Sequence, residues 1–358
     1  MRLAAYISGH GFGHLAQLAP VLNALYRLEP ACHFMIRCSL PEVEIRARLE
    51  FDFDLDQESV DIGVVQKSAI EEDRDASIRQ MRLWLAGFDT RVQREIGLLR
   101  EFAPTLVLSN ISPLAFPAAK ALSIPAIGLA TLDWHTIYSH WLAADDPVLE
   151  ILAAAYDACD LLLTPPMAMQ MPIFSRQQQI PLIAAVADRS AYSAPTVAGR
   201  TALVIFGGSA QPPYDLQALS RLDSWQFLIP HLSTTDIPGN VTPVRFGSGL
   251  RAVDVMAHVD TVVCKPGYGI LAECWSTQTP IAWVERPDFP EFPMLKGWLE
   301  NRFPAAGMSR SDFAAGQWGR ALAASIASPR SFPATTGDGA IVAAEICLAG
   351  SAGSRGRV

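Results

Sequence analysis

Leu3-Ala4-Ala5-Tyr6-Ile7-Ser8, then Gly9-His10-Gly11-Phe12-Gly13-His14, then residues 15–28 make the stretch that decides the fold. The first run is short and apolar, as a buried strand is. The glycines allow a sharp turn. Beyond them Leu15, Leu18, Ala19, Leu22 and Leu25 recur at helical spacing and form one apolar face. Strand, glycine turn and helix in that order open a parallel α/β unit. The N-terminal half continues the pattern, with strands expected at 32–37, 60–65, 106–108 and 126–129. Helices are expected over 77–102 and 115–122. Strands separated by helices favour right-handed crossovers and a parallel sheet.

The pattern restarts after a polar, turn-rich stretch at 189–200. Strands are expected at 202–206, 226–229, 261–264 and 280–284, and helices at 251–258, 270–276 and 337–348. The expected organisation is an N-terminal Rossmann-like domain over 1–188 and a linker over 189–200. A C-terminal Rossmann-like domain over 201–349 and a frayed tail over 350–358 complete it. The length of 358 residues suits two domains, each with its own core.

Composition narrows the function classes. Half the residues are apolar and 18% are charged, which excludes a disordered polymer. The net charge of −8 argues against nucleic acid as a partner. Mean hydropathy is +0.20, yet no run approaches the ~18–20 apolar residues of a membrane span. The opening apolar run is of strand length, so no signal peptide is expected. The six cysteines form no CxxC pair and sit among apolar residues. They read as buried thiols of a reducing compartment, with the cytoplasm as the default.

Three glycine turns carry the chemistry. The first, Gly9, Gly11, Phe12 and Gly13 with His10 and His14, joins strand one to helix one. Its spacing is neither the dinucleotide-binding G-x-G-x-x-G nor a Walker sequence, so nicotinamide and ATP sites are disfavoured. A histidine at a helix start, titrating near neutrality, suits general-base work on a hydroxyl. His14 and His10 are the candidates, against a bland reading in which one caps the helix and the other packs. A metal is not expected, because no third ligand accompanies the pair. The second turn, Gly207, Gly208 and Ser209, offers amides and a hydroxyl to a phosphate. The third, Lys265-Pro266-Gly267-Tyr268-Gly269, opens a helix whose start is again an anion seat. Glu273 follows and can accept two hydrogen bonds from a vicinal diol such as a ribose; equally, it complements the helix dipole. The three turns together describe a cleft between two domains.

These segments resemble the GT-B class of nucleotide-sugar glycosyltransferases. More specifically, they resemble the glycosyltransferase-like N-terminal domain of L-arabinokinase and its bacterial stand-alone relatives. A more distant resemblance is to the peptidoglycan N-acetylglucosaminyltransferase and galactolipid synthase family. The matching segments are 8–14 (SGHGFGH), 109–138, 206–209 (FGGS), 264–273 (CKPGYGILAE) and 284–300. No sugar-kinase activity is implied. The resemblance implies two Rossmann-like domains facing each other across a cleft, with the donor held mainly by the C-terminal one. It places Gly207, Gly208 and Ser209 near the donor diphosphate, with Gly267, Tyr268 and Gly269 as the second phosphate loop. Glu273 takes the ribose-binding position and His14 that of the base.

The resulting expectation is an inverting, metal-independent transfer from a nucleoside diphosphate sugar, UDP-sugar first, to a hydroxyl acceptor, with no cofactor required. Lys265 adds charge at the diphosphate, Asp133 orients a histidine or touches the acceptor, and Arg286, Asp288 and Glu291 touch the sugar. Asp133 reads equally as a helix cap, and 286–291 as a solvated loop. The acid run Glu71-Glu72-Asp73-Arg74-Asp75 reads as a solvated helix start. A sugar-nucleotide epimerase on the same plan and a non-catalytic nucleotide-sugar sensor are the rival readings. Peripheral membrane contact, the acceptor and the oligomeric state stay open.

Overall fold

The computed structural model describes residues 1–194, 199–206, 212–230, 232–247, 249–335 and 337–353. The chain divides into two compact units. Unit 1 is Met1–Val65, Asp73–Ile183 and Thr335–Val358; unit 2 is Gln66–Glu72 and Ala184–Ala334.

Unit 1 begins with β1 (Arg2–Ile7), α1 (Gly13–Leu28), β2 (His33–Arg37), α2 (Glu42–Arg46) and β3 (Asp54–Asp56). It continues with α3 (Arg74–Leu85), α4 (Phe88–Phe102), β4 (Leu106–Asn110), α5 (Ala115–Ala121), β5 (Ala126–Leu129) and α6 (Trp134–Ser139). Then come α7 (Pro147–Tyr156), β6 (Leu161–Thr164) and β7 (Gln177–Gln179). The sheet order is β3-β2-β1-β4-β5-β6-β7, every pair parallel. Helices cover both faces, so β1 and β4 are buried almost throughout.

Unit 2 runs β8 (Arg200–Ile205), a 3₁₀ turn, β9 (Trp225–Pro230), β10 (Val241–Val244), α8 (Ala252–Met256), β11 (Thr261–Cys264) and α9 (Tyr268–Thr277). It ends with β12 (Ile281–Val284), α10 (Phe292–Asn301), β13 (Ala305–Met308), α11 (Arg310–Ala314) and α12 (Gly319–Ile326). Its sheet is also all parallel, in the order β10-β9-β8-β11-β12-β13. The last helix, α13 (Gly339–Gly353), follows.

Several expectations change here. α13 belongs to unit 1: Ala340, Ala343, Ala344 and Cys347 pack into the cluster around Leu18, Leu22 and Leu25 of α1. The expected tail at 350 is still helix, and Ser351 Oγ donates to Thr105 Oγ1 at 3.0 Å. At the start of the expected linker the chain is already held by unit 2. Asp188 N–H already bonds Asp254 Oδ1 at 2.8 Å, and Arg189 Nη1 bonds the Ala257 carbonyl at 3.0 Å, both within unit 2.

Residues 60–65 are not a strand. Gly63 takes φ 59°, and the strand forms earlier, at β3 inside the acid-rich stretch. The helix expected over 77–102 is two, parted at Ala86 and Gly87. Gln66–Glu72 belongs to unit 2, where Ala69 and Ile70 join the core with Val284 and Phe313. All six cysteines are buried free thiols. Among the described residues no helix is long and apolar enough to cross a membrane.

Candidate active site

In unit 1 the chain order reverses between β1 and β4, with Ile7 opposite Asn110 at their carboxyl ends. Open α/β sheets bind ligands at such a switch point. The glycine turn sits there. Gly11 has φ 75°, a conformation that favours glycine, and Gly9 packs so close to Ser39 that a Cβ there would displace the serine hydroxyl. α1 starts at Gly13, which makes His14 its second residue.

His14 Nδ1 lies 2.6 Å from Asn110 Oδ1. Asn110 Nδ2 donates to Gln17 Oε1 at 2.7 Å, and Gln17 Nε2 donates to Thr131 Oγ1 at 3.0 Å. All three partners are buried, whereas His14 keeps part of its surface open. The amide oxygen requires the His14 Nδ1 to carry its proton, which leaves Nε2 as a lone-pair acceptor. Burial lowers the His14 pKa from its ordinary value, against the pull of Asp61 and the Asn110 bond.

His10 is held differently. Its Nδ1 accepts the Val64 N–H at 3.4 Å, and its ring meets Trp134 edge-on at 5.5 Å. A Cβ on Gly63 would come within 2.4 Å of that ring. His10 therefore builds the wall, and His14 is the better-placed base.

Asp61 is the residue that sequence reasoning missed. It is buried, its Oδ1 accepts Ser8 Oγ at 3.0 Å, and its Oδ2 accepts Trp134 Nε1 at 2.9 Å. The Trp134 ring lies 5.9 Å from that of His14. Burial raises the Asp61 pKa, while His14, Trp134, Ser8 and the Gly9 amide pull it down. Asp133, expected to orient a histidine, caps α6 instead. Its Oδ1 accepts the Thr136 N–H at 2.8 Å and its Oδ2 accepts Thr136 Oγ1 at 2.5 Å.

In unit 2 the switch point lies between β8 and β11. Gly207, Gly208 and Ser209 lie outside the described residues. Lys265 follows β11, and Gly267 is the N-cap of α9, so Tyr268 and Gly269 form the helix start. Lys265 makes no ion pair among the described residues. Its pKa falls to about 8, through burial first and then the nearby Arg286, with Glu72 acting oppositely. Glu273 stands in the second turn of α9, half-buried, where its charge is felt by Arg251.

The three residues expected at the sugar have different surroundings. Arg286 is buried, ion-paired to Glu72, stacked 4.5 Å from the Phe289 ring and bonded to the Pro266 carbonyl at 3.3 Å. Glu72 is thus an internal counter-ion and no part of a solvated helix start. Asp73 alone caps α3, by accepting the Ala76 N–H at 2.9 Å. Asp288 is exposed and bonds Arg310 at 2.8 Å. Glu291 is buried, which pushes its pKa up to about 7 against the pull of Arg286.

No family model matches the chain. It is 26% identical to the L-arabinokinase of Arabidopsis thaliana over 334 residues, 88% of this chain and 31% of that one. It thus spans about a third of that relative's length. Among solved structures it is similar to the glycosyltransferase of kitacinnamycin, with a TM-score of 0.64 and 16% identity over 99% of this chain and 95% of that one. It is also similar to the glycosyltransferase SnogD from Streptomyces nogalater, with a TM-score of 0.61 and 16% identity over 98% and 99%. The chain has the GT-B glycosyltransferase fold. A third GT-B likeness is to the glycosyltransferase VinC, solved in complex with DTDP, with a TM-score of 0.59 and 17% identity over 98% and 95%. On this GT-B frame the two glycine turns that can be described, at 9–13 and 265–269, each stand at the switch point of their own sheet.

Proposed function

We propose that this GT-B protein is an inverting, metal-independent glycosyltransferase. It would move a sugar from a nucleoside diphosphate sugar, UDP-sugar first, to a hydroxyl-bearing acceptor. The observation that carries the reading is His14, half-open at a sheet switch point, with Nδ1 tied to Asn110 and Nε2 left as the acceptor.

In the proposed step the acceptor O–H gives its proton to His14 Nε2 as its oxygen bonds the anomeric carbon. The bond from that carbon to the phosphate oxygen breaks, and its electron pair leaves with the nucleoside diphosphate. A single displacement inverts the centre. Unit 2 supplies the donor seat. Lys265 and the N–H groups of Gly267, Tyr268 and Gly269 meet the phosphate charge. Gly207, Gly208 and Ser209 join them in the same reading. Glu273 accepts the ribose hydroxyls, and the stretch from Arg286 through Asp288 to Glu291 contacts the sugar.

The test is a thermal-shift panel of nucleoside diphosphates and NAD. It is followed by assay of nucleoside diphosphate released from UDP-sugars with hydroxyl acceptors. UDP or a UDP-sugar should raise the melting temperature, and release should depend on an acceptor. Stabilisation by NAD alone would overturn the reading, and binding without turnover would return the sensor.

The donor seat also predicts a pH dependence. Lys265 is cationic below about pH 8 and loses its charge above it. UDP affinity should therefore weaken as pH rises through 8, with the inflection moving upward in the complex because bound phosphate favours the charged form. Lys265→Met should bind UDP about tenfold more weakly, consistent with a lost charged hydrogen bond. Its affinity should be flat between about pH 7 and 9 by calorimetry if Lys265 is the titrating group.

A further inference from the structure

A catalytic histidine commonly has one carboxylate partner that does two things: it fixes the ring tautomer through Nδ1, and it stabilises the imidazolium that forms. In this chain the atom on Nδ1 is an amide oxygen, which carries no charge. The nearby carboxylate, Asp61, is bonded elsewhere, to Ser8 and Trp134. We infer that the two tasks are divided: Asn110, braced by Gln17 and Thr131, sets the His14 tautomer and tilt, while Asp61 supplies the countercharge without touching the ring. The inference rests on the reading of His14 as the base, and it makes Asn110 and Asp61 positioning residues.

The geometry supports each half. His14, Asn110, Gln17 and Thr131 form one directed chain of hydrogen bonds at 2.6, 2.7 and 3.0 Å, linking α1 to the ends of β4 and β5. Each amide spends its nitrogen on the next acceptor, so Asn110 presents its oxygen to the histidine. Asp61 receives only donors, from Ser8 Oγ, Trp134 Nε1 and the Gly9 amide. Such a set favours the carboxylate over the acid. Trp134 spans the gap, with its ring against both histidines and its Nε1 on Asp61.

The other titratable groups around this pair are neutral or otherwise engaged. His10 accepts from Val64 at Nδ1, and Asp133 is bonded to Thr136. Tyr138 bonds the Gly63 carbonyl at 2.8 Å and Tyr156 the Ile111 carbonyl at 3.0 Å. Burial pushes the thiol of Cys38 and the phenols of Tyr138 and Tyr156 upward, which keeps them neutral. Asp61 is left as the charge that answers an imidazolium at His14.

The division has a readout that needs no substrate: the imidazole titration of the full chain followed by NMR with labelled histidine. His14 is assigned by the signal lost in His14→Gln. Asp61→Asn should lower the His14 pKa by about one unit or more, because the countercharge goes while the Asn110 bond stays. Asn110→Asp should raise it by a similar amount, because a charge then sits on Nδ1. Asn110→Ala should lower the pKa by less than Asp61→Asn does, while changing the ring's tautomer signature. In a transfer assay the acid limb of the pH–rate profile should follow the same order. An unchanged His14 pKa in Asp61→Asn, or an unchanged one in Asn110→Asp, overturns the division. If either variant fails to fold, the other carries the test. If the titrations shift as expected and no UDP-sugar is turned over, the division stands and the transferase reading fails.

Discussion

His14→Ala should reduce turnover about 10²–10⁴-fold, the usual worth of a positioned general base. UDP affinity should stay within about twofold, because the proposed donor seat lies in unit 2 and an uninvolved change leaves binding free energy nearly unaltered. His14 is not a core residue, so the melting temperature should barely move. The residue keeps part of its surface open, and its ring is hydrogen-bonded to Asn110. The substitution does leave the buried Asn110 Oδ1 without its partner, a loss that water entering the space vacated by the ring can repair. Measured kcat, UDP affinity and melting temperature together decide the outcome. A loss below tenfold would remove His14 from the mechanism. Equal loss of turnover and UDP binding would mark a misfolded chain. His10→Ala is the control: its Nδ1 is already occupied by the Val64 amide, so a smaller effect on turnover is expected.

The opening of the chain was readable because two periodicities meet at one glycine turn. Residues 3–7 are apolar without interruption, and Leu15, Leu18, Leu22 and Leu25 keep helical spacing, so β1 and α1 sit within a residue of expectation. The third turn was equally legible, since Pro266 and Gly267 sit between an apolar run and a helical one. What escaped was whatever depends on distant partners. Residues 60–65 have the composition of a strand, yet Asp61 and Gly63 interrupt it. An acid inside an apolar run must find donors when buried, and that was the available sign that Asp61 does something.

Glu72 hides in a run of acids, and only the docking of Gln66–Glu72 in unit 2 brings it to Arg286. The alanine-rich α13 has small residues on several faces, so its sequence did not say which sheet it would cover. Asp133 sits three residues after the apolar run 126–130 and three before Thr136, a helix-start spacing, and its side chain does cap α6.

Glu95→Ala should destabilise unit 1 by about 3–5 kcal/mol, the usual cost of removing one member of a buried ion pair. Arg37 is fully buried at the end of β2, opposite Tyr6 of β1 in the parallel register. Its Nε and Nη2 donate to Glu95 at 3.1 and 2.5 Å, and Tyr6 Oη donates to the same carboxylate at 2.9 Å. Asp56 of β3 lies 2.5 Å from Nη1 as an ion pair, without hydrogen-bond alignment. Removing Glu95 therefore strands a guanidinium and a phenol in a closed interior, with the partly exposed Asp56 and the more distant Glu58, 3.9 Å from Nη2, as the remaining countercharges.

For a unit of this size the melting temperature should fall by roughly ten degrees. Glu95→Gln keeps an acceptor and most of the shape, so its loss should be smaller. The double change Arg37→Met with Glu95→Leu should recover much of the stability, because apolar groups of similar volume often replace a buried pair at little cost. A fall of less than two degrees in Glu95→Ala would show that the network is dispensable. The consequence reaches the site, since Tyr6 is two residues before Ser8, whose hydroxyl holds Asp61. Chains carrying Glu95→Ala that remain folded should therefore show a His14 titration broadened or displaced from that of the unaltered protein.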